Sequence, residues 1–163
     1  MINGINPREM ILEILLQIED GEHSHVAIRN ALSKYQFLPK QDRAFITRVC
    51  EGTLEYRIQI DYIINTFSKV SVDKMKPAIR EILRSAVYQL KYMDSVPDSA
   101  VCNEAVKLAQ RKGFYNLKPF VNGVLRTIAR DMDKVSFPKK EEDILKSLSV
   151  KYSMPETLVT RWT

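Results

Sequence analysis

The sequence has little of three features on which several protein classes depend: glycine, cysteine and long apolar runs. Its 163 residues include five glycines and two cysteines. The glycines stand singly, so the chain has no glycine-rich loop to cradle a phosphate and few sites for tight hairpins. Two cysteines cannot supply a disulfide framework or a four-cysteine zinc site. The composition therefore argues against a P-loop nucleotide-binding protein, a sheet-rich fold and a disulfide-rich scaffold.

Signals for membranes and secretion are also missing from the sequence. No stretch approaches the roughly 18 consecutive apolar residues of a membrane-spanning helix. The opening residues, MINGINPREM, lack the basic segment and apolar run of a secretory leader. We therefore expect a cytoplasmic protein without a membrane partner. Cys50 and Cys102 fall within apolar helical patterns, and we expect them to pack in the core rather than act as nucleophiles.

The composition is that of one folded domain with an excess of positive charge. Hydrophobic residues make up 45% of the chain and charged residues 28%, which is ordinary for a globular protein. The length allows one hydrophobic core and leaves no room for a second full domain. The formal net charge of +5 favours an anionic partner such as RNA, because lysine and arginine that neutralise phosphates release condensed counterions.

Apolar residues recur with helical spacing along most of the chain, without strand-like alternation. The first helix is predicted to begin at Pro7, with Asn6 as its N-cap, and to end at Gly21. The remaining patterns predict one helix from about residue 25 to 37, two helices dividing the stretch 40–67 near Gly52 or Arg57, and helices at 74–93, 98–113 and 117–128. Six or seven helices with short connections predict an all-α bundle, with the helix at 74–93 in the centre of its core.

The sequence changes character near residue 134. The segment SFPKKEEDILKSLSVKYSMPETLVTRWT, residues 136–163, has two prolines, runs of charge and only a short apolar pattern. We therefore predict a domain over residues 1–134, followed by a linker or helical extension over residues 135–163.

The predicted helix at 74–93 carries basic residues on one face. Lys76, Arg80 and Arg84 stand four residues apart, and Lys91 lies two turns further along. On a helix this spacing forms one ridge, which we predict to face solvent and to contact an RNA backbone. The alternative is that the ridge is only the solvated face of an amphipathic helix.

A second basic pair, Arg126 and Arg130, projects from the last predicted helix. Tyr88, Tyr92 and Tyr115 are interleaved with the two sets of basic residues. Together they favour RNA binding through phosphate contacts and base stacking.

Catalytic and metal-binding patterns are weak in this sequence. His23 and His25, beside Glu22, could in principle hold a metal ion, but such a pair near a helix start is more often a solvated turn. The carboxylates show no spacing of a known acid–base motif. We predict no catalytic residue and no metal site in this chain.

Three segments of the chain resemble the NusB family. They are IREILRSAVYQLKYMDSVPDSAVCNEAVKLAQRKG at residues 79–113, FVNGVLRTI at 120–128 and KQDRAFITRVCEGTLEYRIQIDYII at 40–64. The resemblance covers nearly the whole chain. It implies a NusB-like helical bundle of about six to seven helices.

Within that family, the chain resembles the N-terminal domain of the RsmB/Sun/Fmu 16S ribosomal RNA cytosine-5 methyltransferases. The similar segments are YQL at residues 88–90, VPDSA at 96–100 and SMPETLVTRW at 153–162. Arg126 stands where the antitermination factors of the family usually carry an acid. Arg8 is the one arginine near the N-terminus, where those factors tend to have several.

The resemblance implies that the chain is the N-terminal RNA-binding module of a longer enzyme that depends on S-adenosylmethionine. It would position 16S ribosomal RNA for a catalytic domain beyond Thr163, which would itself hold the cofactor. The expected partners are this RNA and that domain, not DNA. The expected RNA-binding residues are Arg126, Arg130, Arg84, Arg80, Lys76, Lys91 and Arg8. Two alternatives remain: a transcription antitermination factor that binds RNA with a ribosomal protein, and a helical domain that docks only to proteins.

Overall fold

Helices account for nearly all the secondary structure of residues 6–135, the part of the chain that the computed structural model describes. The seven α-helices are α1 (Pro7–Glu19), α2 (Ser24–Lys34), α3 (Lys40–Glu55), α4 (Arg57–Phe67), α5 (Pro77–Tyr92), α6 (Asp98–Arg111) and α7 (Lys118–Asp131). Short 3-10 turns occur at Val72–Lys74, Tyr115–Leu117 and Met132–Lys134. Residues 6–135 contain no strand, and the prediction of an all-α bundle is confirmed. Of the predicted extension at 135–163, all but Val135 lies outside the described residues.

Local sequence sets the ends of α1 and α6 as predicted. The Oδ1 atom of Asn6 accepts hydrogen bonds from the backbone N–H groups of Arg8 and Glu9, at 2.9 and 3.4 Å, so it caps α1. Gly21 and Gly113 follow α1 and α6 with φ of 112° and 86°, in the left-handed region that glycine adopts without a Cβ clash. None of the described helices combines the length and the hydropathy needed to cross a membrane.

The start of α5 differs from the prediction. Residues 72–74 form a 3-10 turn, Met75 is extended, and α5 begins only at Pro77. The proline explains the difference, because its ring disfavours helical backbone in the residue before it. Lys76 therefore sits at the N-cap of α5 and not on the helical face where its spacing from Arg80 placed it.

Helix α5 runs through the middle of the bundle and packs against α1, α3, α4, α6 and α7. Every residue from Glu81 to Leu90 is buried, including four polar ones. The sequence prediction of a central α5 is confirmed. The helix has no solvent-exposed side over these ten positions, so its polar side chains have to find partners inside the protein.

Two helical glycines have opposite surroundings. A Cβ atom at Gly52 of α3 would overlap the ring of Tyr88 on α5, whereas one at Gly123 of α7 would meet no atom within 4 Å. Tyr88 is buried and its ring lies 5.3 Å from that of Tyr92, so it has little freedom to move. The close helix approach therefore lies at Gly52 and not at Gly123.

This difference predicts opposite effects of two alanine substitutions. Gly52→Ala should lower the free energy of unfolding by about 1–3 kcal/mol, because the core has to shift to admit a methyl group. Gly123→Ala is the matched control and should raise it by up to about 1 kcal/mol, because alanine is the better helix former. Urea unfolding followed by circular dichroism measures both. Equal effects at the two sites would contradict the packing described here.

Candidate nucleic-acid interface

Arg84, a predicted RNA-binding residue, points into the protein. Its Nε and Nη2 atoms donate hydrogen bonds to the two carboxylate oxygens of Asp61 on α4, each at 2.8 Å. Its Nη1 atom donates to Glu81 at 2.8 Å. Only 8% of the residue is exposed. Arg84 therefore joins α4 to α5, and its guanidinium is not displayed to solvent.

Arg80, the next member of the predicted ridge, is held between α1 and the turn that precedes α5. Its guanidinium pairs with the Glu19 carboxylate and also donates to the backbone oxygens of Val72 and Met75, at 3.2 and 3.4 Å. The predicted solvent-facing ridge through Arg80 and Arg84 is therefore wrong. The physical reason is that α1 and α4 cover this side of α5 and supply carboxylates to both arginines.

The other residues of the ridge remain at the surface but lie apart from each other. Lys76 is exposed at the beginning of α5. Lys91 lies at the opposite end, with its ammonium 5.4 Å from the centre of the Tyr92 ring. Tyr92 stacks on Tyr56 at 4.5 Å and Tyr88 is buried, so neither offers a free face like that of a solvated tyrosine. RNA contact by Lys76 and Lys91 stays a prediction.

The ion pairs around α5 include two carboxyl groups that hydrogen-bond to each other. Burial, and next the hydrogen bond to Glu19, raise the pKa of Glu81 to about 8. Burial alone would also raise the pKa of Glu19, but hydrogen bonds from Glu81 and Arg80 hold it below its ordinary value. At neutral pH the pair therefore keeps one proton, which resides on Glu81.

Arg8 occupies a partly buried place between α1, α3 and α5. Its guanidinium carbon lies 5.1 Å from the centre of the Phe45 ring, within cation–π range. Its Nε atom donates to the Gln89 side-chain oxygen at 3.3 Å. Burial lowers the pKa of Arg8, against the opposing influence of Glu104. Arg8 thus packs α1 against two neighbouring helices, and its RNA contact also stays a prediction.

Arg126 lies in a different environment, on the exposed surface where α6 meets α7. Its Nη2 atom donates to the side-chain oxygen of Asn103 on α6 at 2.8 Å. Its Nε atom donates to the side-chain oxygen of Asn122, one turn earlier on α7, at 3.1 Å. The two amides hold the guanidinium across the junction of the helices without neutralising its charge. Arg126 is therefore positioned to meet an anion.

A groove of about 650 Å³ follows this junction. Its lining consists of Asn103, Val106, Lys107, Gln110, Lys118, Pro119, Asn122 and Arg126. Three of these side chains are cationic and none is a carboxylate, although Glu104 pairs with Lys107 from the flank at 3.5 Å. The groove therefore offers hydrogen-bond donors and positive charge, which suits phosphate oxygens.

Sequence reasoning missed most of this groove. Asn103, Lys107 and Gln110 stand at i, i+4 and i+7 on α6, and Lys118, Asn122 and Arg126 stand at i, i+4 and i+8 on α7. Each set lies on one face of its helix. The helical spacing of these polar residues indicates the groove, but the sequence prediction considered only basic residues and therefore left out the amides Asn103, Gln110 and Asn122.

Arg130 continues the α7 surface one turn beyond Arg126. Its side chain is 72% exposed and pairs with Asp131 at 3.0 Å. Because exposed pairs of this kind are weak, a phosphate can replace the carboxylate.

The basic residues at the end of α6 form ion pairs with another helix. Arg111 and Lys112 pair with Glu9 and Glu13 of α1, and these pairs connect α1 to α6.

The described residues include no cluster that could hold a metal ion, and both cysteines are buried. No three His, Cys, Asp or Glu side chains within residues 6–135 come together in a way that could hold a metal ion. Cys50 and Cys102 are buried, as predicted for packing residues. Burial raises the pKa of the Cys50 thiol to about 12, which keeps it protonated and unreactive.

Comparison with known proteins identifies the class to which this fold belongs. Residues 5–130 match the NusB family. The NusB structure of T. maritima superposes with a TM-score of 0.68 and 26% identity, over 77% of this chain and 92% of that one. A crystal structure of the antitermination factors NusB and NusE in complex with double-stranded RNA gives 0.69 at 22% identity, over 76% and 93%. The chain belongs to the NusB family.

Sequence relatives come from both branches of that family. The chain is 33% identical to the probable ribosomal RNA small subunit methyltransferase B of Bacillus subtilis, over 95% of this chain and 34% of the relative. It is 34% identical to the transcription antitermination protein NusB of Dictyoglomus thermophilum, over 82% of this chain and 88% of the relative. The chain thus spans about a third of the length of the methyltransferase.

The raised pKa of Glu81 makes stability depend on pH. The unfolded chain releases this proton near the ordinary pKa of glutamate and the folded protein only near pH 8. Stability should therefore fall as pH rises from about 4.5 to 8, by at most about 1.4 kcal/mol per pH unit. Urea unfolding at several pH values measures the slope. Glu81→Gln should flatten it, whereas Glu55→Gln, at an exposed site on α3, should leave it unchanged. An equal slope in both variants would contradict the protonation of Glu81.

Proposed function

We propose that this chain is the RNA-binding module of a ribosomal RNA cytosine-5 methyltransferase, and that it positions 16S ribosomal RNA for a catalytic domain. The observation that carries the proposal is the donor-lined groove between α6 and α7, on a fold of the NusB family. The module itself holds the RNA backbone. S-adenosylmethionine and the methyl transfer belong to the catalytic domain.

The electrostatics of the groove support binding to a phosphate backbone. Arg126 and Arg130 lie one turn apart on α7, and Lys107 of α6 lines the groove together with Arg126. Their side chains are exposed, whereas Arg80 and Arg84 form ion pairs with Glu19 and Asp61 inside the bundle. A phosphate can approach the α7 arginines without breaking a buried pair, which would cost several kcal/mol. Contacts of this kind fix the position of an RNA without reading its sequence.

The extent of the sequence similarity supports the methyltransferase branch. The alignment with the B. subtilis methyltransferase takes in more of this chain than the alignment with the Dictyoglomus antitermination protein does. The chain also has a basic residue, Arg126, in the lining of the groove. An arginine there adds to the attraction for RNA.

The second candidate is a transcription antitermination factor. The observation in its favour is the Dictyoglomus NusB protein, which this chain matches over most of that protein's length. Such a factor would act together with a ribosomal protein partner. The two candidates use the same groove and differ in what else the chain binds.

The proposal predicts that RNA binding depends on the charge of α7. Arg126→Glu combined with Arg130→Glu should weaken binding of a 16S ribosomal RNA fragment at least tenfold, and make the slope of log affinity against log salt less steep by about one or more. Fluorescence anisotropy at several salt concentrations measures both quantities.

The matched control reverses two exposed charges on α2, with Arg29→Glu and Lys34→Glu, and gives the same change in net charge. It should reduce affinity much less, since α2 packs against α1 and α3 rather than beside the groove. Circular dichroism verifies that both variants fold. Unchanged RNA affinity in the folded α7 variant would remove α7 from the binding surface.

Two measurements separate the methyltransferase module from the antitermination factor. The first is the coding sequence beyond Thr163, which should continue in frame into a methyltransferase domain. The second is the effect of the antitermination factor NusE on RNA affinity, which should be negligible. A stop codon after Thr163, together with stronger RNA binding in the presence of NusE, would favour the antitermination factor.

A further inference from the structure

Tyr115 is the most exposed of the large hydrophobic residues in the described part of the chain, with 64% of its surface accessible. It lies in the short turn between α6 and α7. The ammonium of Lys118 sits 4.5 Å from the centre of its ring. A second depression, lined by Tyr115, Asn116, Lys118 and Pro119, shares two of these residues with the groove and so continues it. The ring therefore stands at the end of the groove.

Lys118 links the ring to the groove. The ammonium that lies over Tyr115 also donates a hydrogen bond to the side-chain oxygen of Gln110, at 2.9 Å. Gln110 lines the groove on the α6 side. The aromatic ring and the Gln110 side chain thus both contact one lysine nitrogen, so a base that displaces this ammonium from the ring comes within reach of Gln110.

The three amides of the groove are oriented alike by the cations beside them. The side-chain oxygens of Asn103 and Asn122 accept from Arg126, and that of Gln110 accepts from Lys118. Each amide therefore has its NH2 group left for a ligand. Together with the lysines and the arginine, these groups make a surface of donors. Such a surface fits ligand atoms that accept hydrogen bonds and disfavours ligand amino groups.

We propose that this end of the groove binds one unpaired uracil of a single-stranded RNA, with the base stacked on Tyr115. A uracil carbonyl oxygen accepts a hydrogen bond from the Gln110 amide, while phosphates further along meet Arg126 and Lys107. Adenine and cytosine present an amino group on the edge where uracil presents a carbonyl, so they match a donor surface less well. A duplex cannot bind in this way, because its bases are stacked and paired. The proposal rests on the proposed RNA-binding function and adds to it a base-binding residue and a preferred base.

The test compares the whole chain and its variants on four RNAs: eight-residue oligomers of uridine, adenosine and cytidine, and a twelve-base-pair duplex. Fluorescence anisotropy gives each affinity. The unsubstituted chain should bind the uridine oligomer most tightly. Tyr115→Ala should weaken binding of that oligomer by about tenfold and leave duplex binding unchanged, because the loss is one stacking contact. Tyr115→Phe keeps the ring and should restore the affinity.

Two further variants test the base preference and the location. Gln110→Glu replaces a donor by an acceptor, so the ratio of uridine to adenosine affinity should fall even though the added charge weakens both. Phe37→Ala removes another exposed aromatic ring, in the turn between α2 and α3, and should change none of the affinities. Circular dichroism verifies that each variant is folded.

The outcomes separate this proposal from the function on which it rests. If RNA binding depends on salt but Tyr115→Ala does not change it, the base site is overturned and the proposed RNA-binding function is retained. Equal losses for single strands and duplex, or equal affinities for the three oligomers, also overturn the base site. A chain that binds none of the four RNAs overturns the base site, and one that also fails to bind the 16S ribosomal RNA fragment overturns both proposals.

Discussion

A helix enclosed on every side has to satisfy all of its polar groups within the protein, and α5 is such a helix from Glu81 to Leu90. Gln89 and Ser85 do so by donating to backbone oxygens of α5 itself. Arg84 cannot, because a guanidinium buried without a carboxylate would cost several kcal/mol. Asp61 of α4 supplies the carboxylate, and the protonated Glu81 side chain accepts a further hydrogen bond from Arg84. The positions of the helices around α5 are therefore determined by the pairing of buried charges as well as by the packing of side chains.

That constraint explains which part of the fold could be predicted from the sequence. The spacing of apolar residues correctly predicted that α5 is the central helix, because this spacing indicates which residues face other helices. The same spacing placed Arg80 and Arg84 on an outer ridge, which was wrong. Periodicity separates one side of a helix from another, but it does not tell whether the second side meets solvent. The partners that decided the matter, Glu19 and Asp61, lie 61 and 23 residues away in the chain.

The candidate site was predictable in part for a related reason. Arg126 and Arg130 were selected by their charge and spacing, and both lie at the surface. The amides that hold Arg126 were not selected, since their role depends on α6 and α7 folding back on each other. The turn that brings Asn103 beside Arg126 starts at Gly113, whose left-handed backbone the sequence does indicate. What the sequence does not specify is the register of the two helices after that turn.

The pairing of Glu19 with Arg80 also bears on how the chain is made. On a ribosome that adds about 5–20 residues per second, Glu19 emerges roughly 3–12 seconds before the arginine that it will bind. During that interval the apolar face of α1 has no α5 to pack against. Until α5 is made, this face of α1 stays exposed, and exposed apolar surface of this kind is prone to aggregation. The order of synthesis thus leaves the first helix of this bundle among the last to reach its final surroundings.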